Sequence, residues 1–128
     1  MNSVQLTVGE IEALVHEVLE ANGCDAANAG AVARTVAAAE RDGAASHGLL
    51  RLPGYVHALR GGHVKGNAQP VIHRLTPALL RVDGDHGFAP LAIERAIPAL
   101  AEAAHDLGIA AMTIVDSFHF AALWPEVE

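Results

Sequence analysis

Ala78-Leu79-Leu80-Arg81-Val82 runs into Asp83-Gly84-Asp85-His86-Gly87, and these ten residues decide how the chain folds. The first five are short, apolar and branched, which predicts a strand; the cluster of aspartates and glycines after them predicts a turn. Asp83 and Asp85 flank Gly84 and read as residues that shape that turn. Beyond it, Ala89 to Leu107 carries Ile93, Ala96, Ile97 and Leu100 on one face at helical spacing, and Gly108 follows. Pro98 inside that helix predicts a kink or a break. Ile109 to Val115 is then a continuous apolar run of strand length. Strand, helix, strand predicts a crossover between parallel neighbours. On the other side, Pro70-Val71-Ile72-His73 reads as one more strand, set off by Thr76-Pro77.

Further upstream the periodicity is helical throughout. Thr7-Val8-Gly9-Glu10 has the form of a capping box, and Ile11, Leu14, Val15, Val18 and Leu19 make one apolar stripe behind it. Asn22-Gly23 ends that helix, since glycine takes the left-handed conformation without a Cβ clash. A second helix, about Ala26 to Glu40, is nearly all alanine and valine on one side; Arg41-Asp42-Gly43 breaks it. A third helix is expected after Ser46-His47, carrying Leu49, Leu52, Val56 and Leu59 inward and closed by Gly61-Gly62. The expected organisation is a helical region, residues 1–66, followed by a sheet-and-helix region, residues 67–128, with no repeat or low-complexity linker between them.

Composition narrows the function. Of 128 residues, 52% are hydrophobic, enough for one core and a helix-rich globular fold. The formal charge of −7 argues against attraction to nucleic acid or an anionic membrane surface. A lone cysteine, Cys24, allows no internal disulfide, which fits a reducing cytoplasm. No apolar run reaches the roughly 18 residues of a membrane span, and the first residues lack the pattern of a signal peptide. The eight histidines include no H-x-H or H-E-x-x-H pair. His57, His63, His73, His86 and His105 read as surface or satisfied polar residues, so no metal site is expected.

Chemistry concentrates in two stretches. In Ser46-His47-Gly48-Leu49-Leu50-Arg51, a helix opening at Gly48 would put His47 and Arg51 one turn apart on one side. An imidazole supplies a proton and a guanidinium holds a carboxylate, two services that the reduction of a small 2-oxo or 2-imino acid needs. The plain alternative is a helix start capped by Ser46, with His47 and Arg51 solvated. The second stretch, Asp116-Ser117-Phe118-His119-Phe120-Ala121-Ala122-Leu123-Trp124, begins where the last strand ends, and ligands of α/β proteins often bind there. A helix starting near Ala121 would turn free N–H groups toward a phosphate. Here the plain alternative is packing by Phe118, Phe120 and Trp124. No G-x-G-x-x-G follows a strand, and no Walker loop is present.

Arg41-Asp42-Gly43-Ala44-Ala45-Ser46-His47-Gly48, then Arg51 and Tyr55, then Val82-Asp83-Gly84, then Ser117-Phe118-His119-Phe120 occur in that order. Together they resemble the malate/L-lactate dehydrogenase family that is unrelated to the Rossmann lactate dehydrogenases. His119-Phe120-Ala121-Ala122-Leu123-Trp124 is similar to the branch of Δ1-piperideine-2-carboxylate/Δ1-pyrroline-2-carboxylate reductases. The resemblance implies an α+β fold: a helical substrate and dimerisation region, then the beginning of a family-specific, non-Rossmann NAD(P)-binding domain on a largely antiparallel sheet. It implies a cytoplasmic, homodimeric oxidoreductase that uses NADP or NAD, NADP being favoured, to reduce a small cyclic 2-imino acid.

By the same resemblance His47 is the proton donor, Ser46 belongs to its relay, Arg51 grips the substrate carboxylate, and His119, Phe120, Ala121, Ala122 and Leu123 contact the cofactor. Asp116 stands where many relatives carry Asn, and an acid near a phosphate is expected to weaken that contact. The acidic member of the relay and the rest of the sheet have no counterpart, so an N-terminal portion of the enzyme, inactive alone, is expected. The alternatives are a dehydrogenase of 2-hydroxy acids, an inactive fragment serving only as an interaction module, or a stand-alone binding domain for a small ligand.

Overall fold

A computed structural model of the chain describes residues 3–121. Four α-helices and three strands follow one another: α1 (Val8–Ala21), α2 (Ala26–Arg41), α3 (Leu52–Arg60), β1 (Val71–Thr76), β2 (Leu79–Asp83), α4 (Ala89–Leu107) and β3 (Ala111–Val115). The class is α+β. The helix proposed from Ala121 onward lies outside the described residues, except for Ala121 itself.

The capping box forms as expected. Thr7 N–H donates to Glu10 Oε2 at 2.7 Å, and Glu10 N–H donates to Thr7 Oγ1 at 3.2 Å. The stripe of α1 is narrower than its periodicity suggests: Ile11, Val15 and Leu19 are buried, but Leu14 is 41% exposed. α1 packs mainly against α2, with α3 beside it, and the residues it buries there lie at i, i+4 and i+8. The small residues of α2, among them Ala29, Val32, Ala33 and Val36, let the two backbones approach closely, and ten of its sixteen residues are buried.

The third helix differs from expectation. Residues 45–51 form two successive 3₁₀ turns, Ala45–His47 and Leu49–Arg51, and the α-helix begins only at Leu52. Gly48 separates the turns, and with φ −92° and ψ −138° it is not helical, so it does not open a helix. Ser46 caps neither turn with its side chain. Leu49, Leu52 and Leu59 pack against the core as expected, but the most buried residues of α3 are Tyr55 and Ala58.

The sheet has the order β1-β2-β3. β1 and β2 are antiparallel, with a register shift between Arg74 and Thr76. β2 and β3 are parallel, from Leu79 opposite Ala111 to Asp83 opposite Val115. The crossover through α4 is therefore present as predicted. α4 continues through Pro98 as one helix without a break; proline there has no N–H to give to the ladder. Val82, Ala92 and Ala96 form a small core between α4 and the parallel pair, joined by Met112 and Ile114.

The helices and the sheet meet along one seam. Asn28, buried in α2, donates its side-chain N–H to Ala68 O at 3.0 Å. Arg34 of α2 and Glu94 of α4 form a two-pronged pair at 2.9 and 2.7 Å. The pair is half-exposed, so its net contribution is about 0–1 kcal/mol. The main connection is Phe88, just before α4, which is 1% exposed and packs into the core of α1, α2 and α3.

Candidate active site

The carboxyl ends of β2 and β3 lie side by side, and both turns that leave them are tightly wound. Asp85 and His86 after β2, and Asp116 after β3, all have φ between 50° and 56°. Gly84 N–H donates to Val115 O at 2.8 Å, and His86 N–H donates to Asp116 O at 2.7 Å. A side chain on Gly84 would run into Ser117 and the Asp116 carbonyl, so only glycine lets the turns meet. Asp83 and Asp85 shape the first turn as expected. Asp83 Oδ1 accepts the Asp85 N–H at 2.9 Å, while Asp85 Oδ2 accepts Lys65 Nζ at 2.7 Å and the Gln69 N–H at 2.8 Å. The Lys65 hydrogen bond, then that of Gln69, holds the Asp85 carboxyl below the usual carboxylate range.

These turns carry the chain back over α3. Phe118 N–H donates to Gly87 O at 2.8 Å, and its carbonyl accepts the Ala89 N–H at 3.0 Å. The ring of Phe118 lies edge-on to Phe88 at 5.9 Å and to Phe120 at 5.0 Å, while Tyr55 meets Phe88 at 5.2 Å. An aromatic chain thus runs from the core to the surface. At its outer end the Arg51 guanidinium sits over the Phe120 ring, 5.8 Å from its centre, a cation–π contact.

Arg51, Gly54, Tyr55, Phe118 and Phe120 enclose a mainly apolar cavity of about 170 Å³ with one cationic group in its wall. Arg51 is fixed by its Nε, which donates to Ser46 O at 2.8 Å. Ser46 Oγ lies 3.0 Å from His47 Nδ1. Glu40 at the end of α2 anchors the turn from beneath, accepting the Leu49 N–H on Oε1 at 2.7 Å.

Of the residues singled out from the sequence, Arg51 and Phe120 line the cavity together. Ser46 reaches it only through its backbone carbonyl, the acceptor of the Arg51 bond, and neither Ser46 nor His47 lines the cavity. His119 lies between two lining residues without lining the cavity itself, and partial desolvation lowers its pKa, favouring the neutral ring. Ala121 is buried. Ala122 and Leu123 lie outside the described residues. Sequence reasoning placed Tyr55 and Phe118 in the family pattern, and Phe118 in a packing role, but gave neither a place at a cavity and gave Glu40 no role at all. Tyr55 follows Arg51 by four residues, and that spacing was a usable signal for it. Glu40 acts nine residues away in sequence and had none.

A larger open depression of about 550 Å³, lined by Arg74, Thr76, Pro77, Glu102, Ala103, Asp106 and Leu107, includes none of these groups. Among the described residues no group of three or more His, Cys, Asp or Glu is placed to hold a metal ion. No described helix is long and apolar enough to cross a membrane.

Comparison with known proteins gives the class to which this helical layer and mixed sheet belong. Residues 6–128 match the malate/L-lactate dehydrogenase family, and the chain belongs to it. It is 48% identical over 125 residues to a Δ1-pyrroline-2-carboxylate reductase of Ancylobacter novellus, a match that covers 98% of this chain and 37% of that protein. It is 42% identical over 125 residues to a Δ1-pyrroline-2-carboxylate/Δ1-piperideine-2-carboxylate reductase of Pseudomonas putida, with the same coverage. Among solved structures, the malate dehydrogenase of Entamoeba histolytica superposes with a TM-score of 0.87 at 25% identity, covering 98% of this chain and 35% of that one. The chain thus spans little more than a third of the length of the relatives it matches.

Proposed function

We propose that this chain supplies the substrate side of an NAD(P)H-dependent reductase of small cyclic 2-imino acids, Δ1-pyrroline-2-carboxylate and Δ1-piperideine-2-carboxylate. The observation that carries the proposal is the joining of Arg51, Phe120 and the Ser46–His47 pair through one turn and one cavity. The reductase names of the relatives from Ancylobacter novellus and Pseudomonas putida support the choice of substrate.

In this reading Arg51 holds the carboxylate and fixes which face of the C=N bond is presented. His47 delivers a proton to the imine nitrogen as the carbon is reduced, giving a cyclic amine. Ser46, at Nδ1, orients the ring so that the other nitrogen faces substrate. When bound, a reduced nicotinamide supplies the hydride, a proton with two electrons, to the imine carbon. Phe120, 52% exposed beside the cavity, offers a flat surface that suits a planar ring, and His119 to Leu123 form the cofactor-contacting segment. NADP is the favoured form.

Residues 1–66 then serve substrate binding and dimerisation, and residues 67–128 begin the NAD(P)-binding part of a cytoplasmic homodimer. Catalysis is assigned to a protein of the relatives' length, so the 128-residue chain alone is expected to give no turnover.

The test is a chimera in which this chain replaces the matching 37% of the Ancylobacter novellus reductase. NADPH or NADH oxidation is followed with the two cyclic imino acids, pyruvate and oxaloacetate. Preference for an imino acid supports the proposal. Preference for oxaloacetate or pyruvate establishes the second reading, a 2-hydroxy acid dehydrogenase, which the likeness to malate dehydrogenases favours.

A further inference from the structure

We infer that Phe120 is a positioning residue for Arg51: its ring face holds the guanidinium in the cavity wall, ready for a carboxylate. The inference rests on the reading of Arg51 as the carboxylate grip. It ties the segment proposed to meet cofactor, His119 to Leu123, to the group proposed to hold substrate.

Among the described residues Arg51 makes no ion pair, and its one hydrogen bond runs from Nε to Ser46 O. A planar guanidinium held by one bond can still turn about the axis of that bond, and an arginine side chain has much rotamer freedom. Phe120 supplies the second restraint. Arg51 Cζ lies over its ring, 5.8 Å from the centre, where the negative face of the π system attracts a cation. The bond and the ring come from different stretches of chain, so together they hold a pose that neither holds alone.

The ring that does this is itself supported. It meets Phe118 edge-on, with 63° between the planes, and Phe118 meets Phe88, which is 1% exposed in the helical core. The backbone of Phe118 is bonded on both sides, to Gly87 and to Ala89, at the turn that opens α4. Support therefore runs from the core, through three rings, to the guanidinium. Burial alone does not account for an aromatic at this place, since 52% of Phe120 stays exposed. An aliphatic side chain packed on Phe118 would offer the cation no face.

An exposed cation–π contact is worth a factor of about two to five in an equilibrium. The test measures solvent exchange of the Arg51 Nε proton by NMR in the 128-residue protein. Phe120→Leu should speed that exchange about two- to fivefold, because the bonded pose opens more often. Phe120→Tyr, which keeps the ring face, should exchange at the original rate. Trifluorophenylalanine placed at this site alone keeps the shape while its fluorines draw charge off the face, so it should act as Phe120→Leu does. Equal rates in all four proteins overturn the inference. So does a rate that changes with Phe120→Leu but not with the fluorinated ring, which would leave packing as the only role. In the chimera, Phe120→Leu should raise KM for the imino acid by the same factor with a smaller change in kcat, and Phe120→Tyr should not. An unchanged KM for the imino acid in the Phe120→Leu chimera also overturns the inference. Exchange that depends on the ring at Phe120, without imine reduction by the chimera, keeps the inference and sinks the proposed reaction. Imine reduction with exchange indifferent to that ring does the reverse.

Discussion

The Glu40 carboxylate reaches under the turn that carries His47 and accepts the Leu49 N–H at 2.7 Å, filling the notch that Gly48 leaves open. A Cβ on Gly48 would coincide with that carboxylate. The glycine leaves the space that the carboxylate fills.

Gly48→Ala should therefore destabilise the protein by about 1–3 kcal/mol through overpacking. Glu40→Ala should cost about 1–3 kcal/mol by leaving the Leu49 N–H unsatisfied. The double variant should cost less than the sum, because removing the carboxylate makes room for the new methyl group. Urea unfolding of the four proteins measures the coupling, and strict additivity would refute the contact.

In the chimera, His47→Ala should lower kcat by about 10²–10⁴-fold while leaving nucleotide affinity nearly intact, the range typical of general acid catalysis. Near-normal turnover across neutral pH would remove His47 from the reaction.

Arg51→Lys keeps the charge and loses the planar fork, together with the Nε bond to Ser46 O. KM for the carboxylate substrate should rise, and kcat should fall as the turn bearing His47 loses its tie. Steady-state kinetics in the chimera separate the two effects, and an unchanged kcat/KM would take Arg51 out of the site.

Asp85 has its pKa lowered by Lys65 and Gln69, so its folded value lies below its unfolded one. Its contribution to stability is present above the unfolded value, about 3.9, and is lost as pH falls through the folded value. Asp85→Asn, which tolerates the same positive φ, should flatten the loss of stability at acid pH. Urea midpoints measured across that acid range, for the original and the variant, show whether it does.

Cys24 is 8% exposed, and its thiol is pushed up to about 12, by burial first and then by Asp25 and Glu20. The thiolate is the reactive form, so the folded protein should resist a thiol reagent at neutral pH and react promptly in urea. Equal rates in both conditions would contradict the burial.

Elements governed by local chemistry were legible in the sequence. Thr7 and Glu10 announce α1, and the run from Ala89 to Gly108 fixes α4 and, with the apolar runs beside it, the parallel crossover. What was hidden depends on distant partners. The outward position of Leu14 follows from which residues of α1 meet α2. β1 is exposed along its whole length, so no burial alternation marks it, and its extension to Thr76 depends on pairing with Leu79. The 3₁₀ geometry around Ser46 and His47 depends on Glu40, nine residues before the group it holds. Arg51 and Phe120 stand far apart in the chain, and only the aromatic stack beneath them brings them together.

The bond from Arg51 Nε to Ser46 O also has a bearing on engineering. It spans five residues and ties a cavity wall to the peptide just before His47. An insertion or deletion within that span would shift both ends at once. Efforts to widen the range of accepted ligands should therefore leave the floor formed by this turn untouched. The opposite side, at Phe118 and Phe120, arrives from a different stretch of chain and is open to trimming one ring at a time. Of the two, Phe120 is the cheaper to trim, because half of its ring already faces solvent.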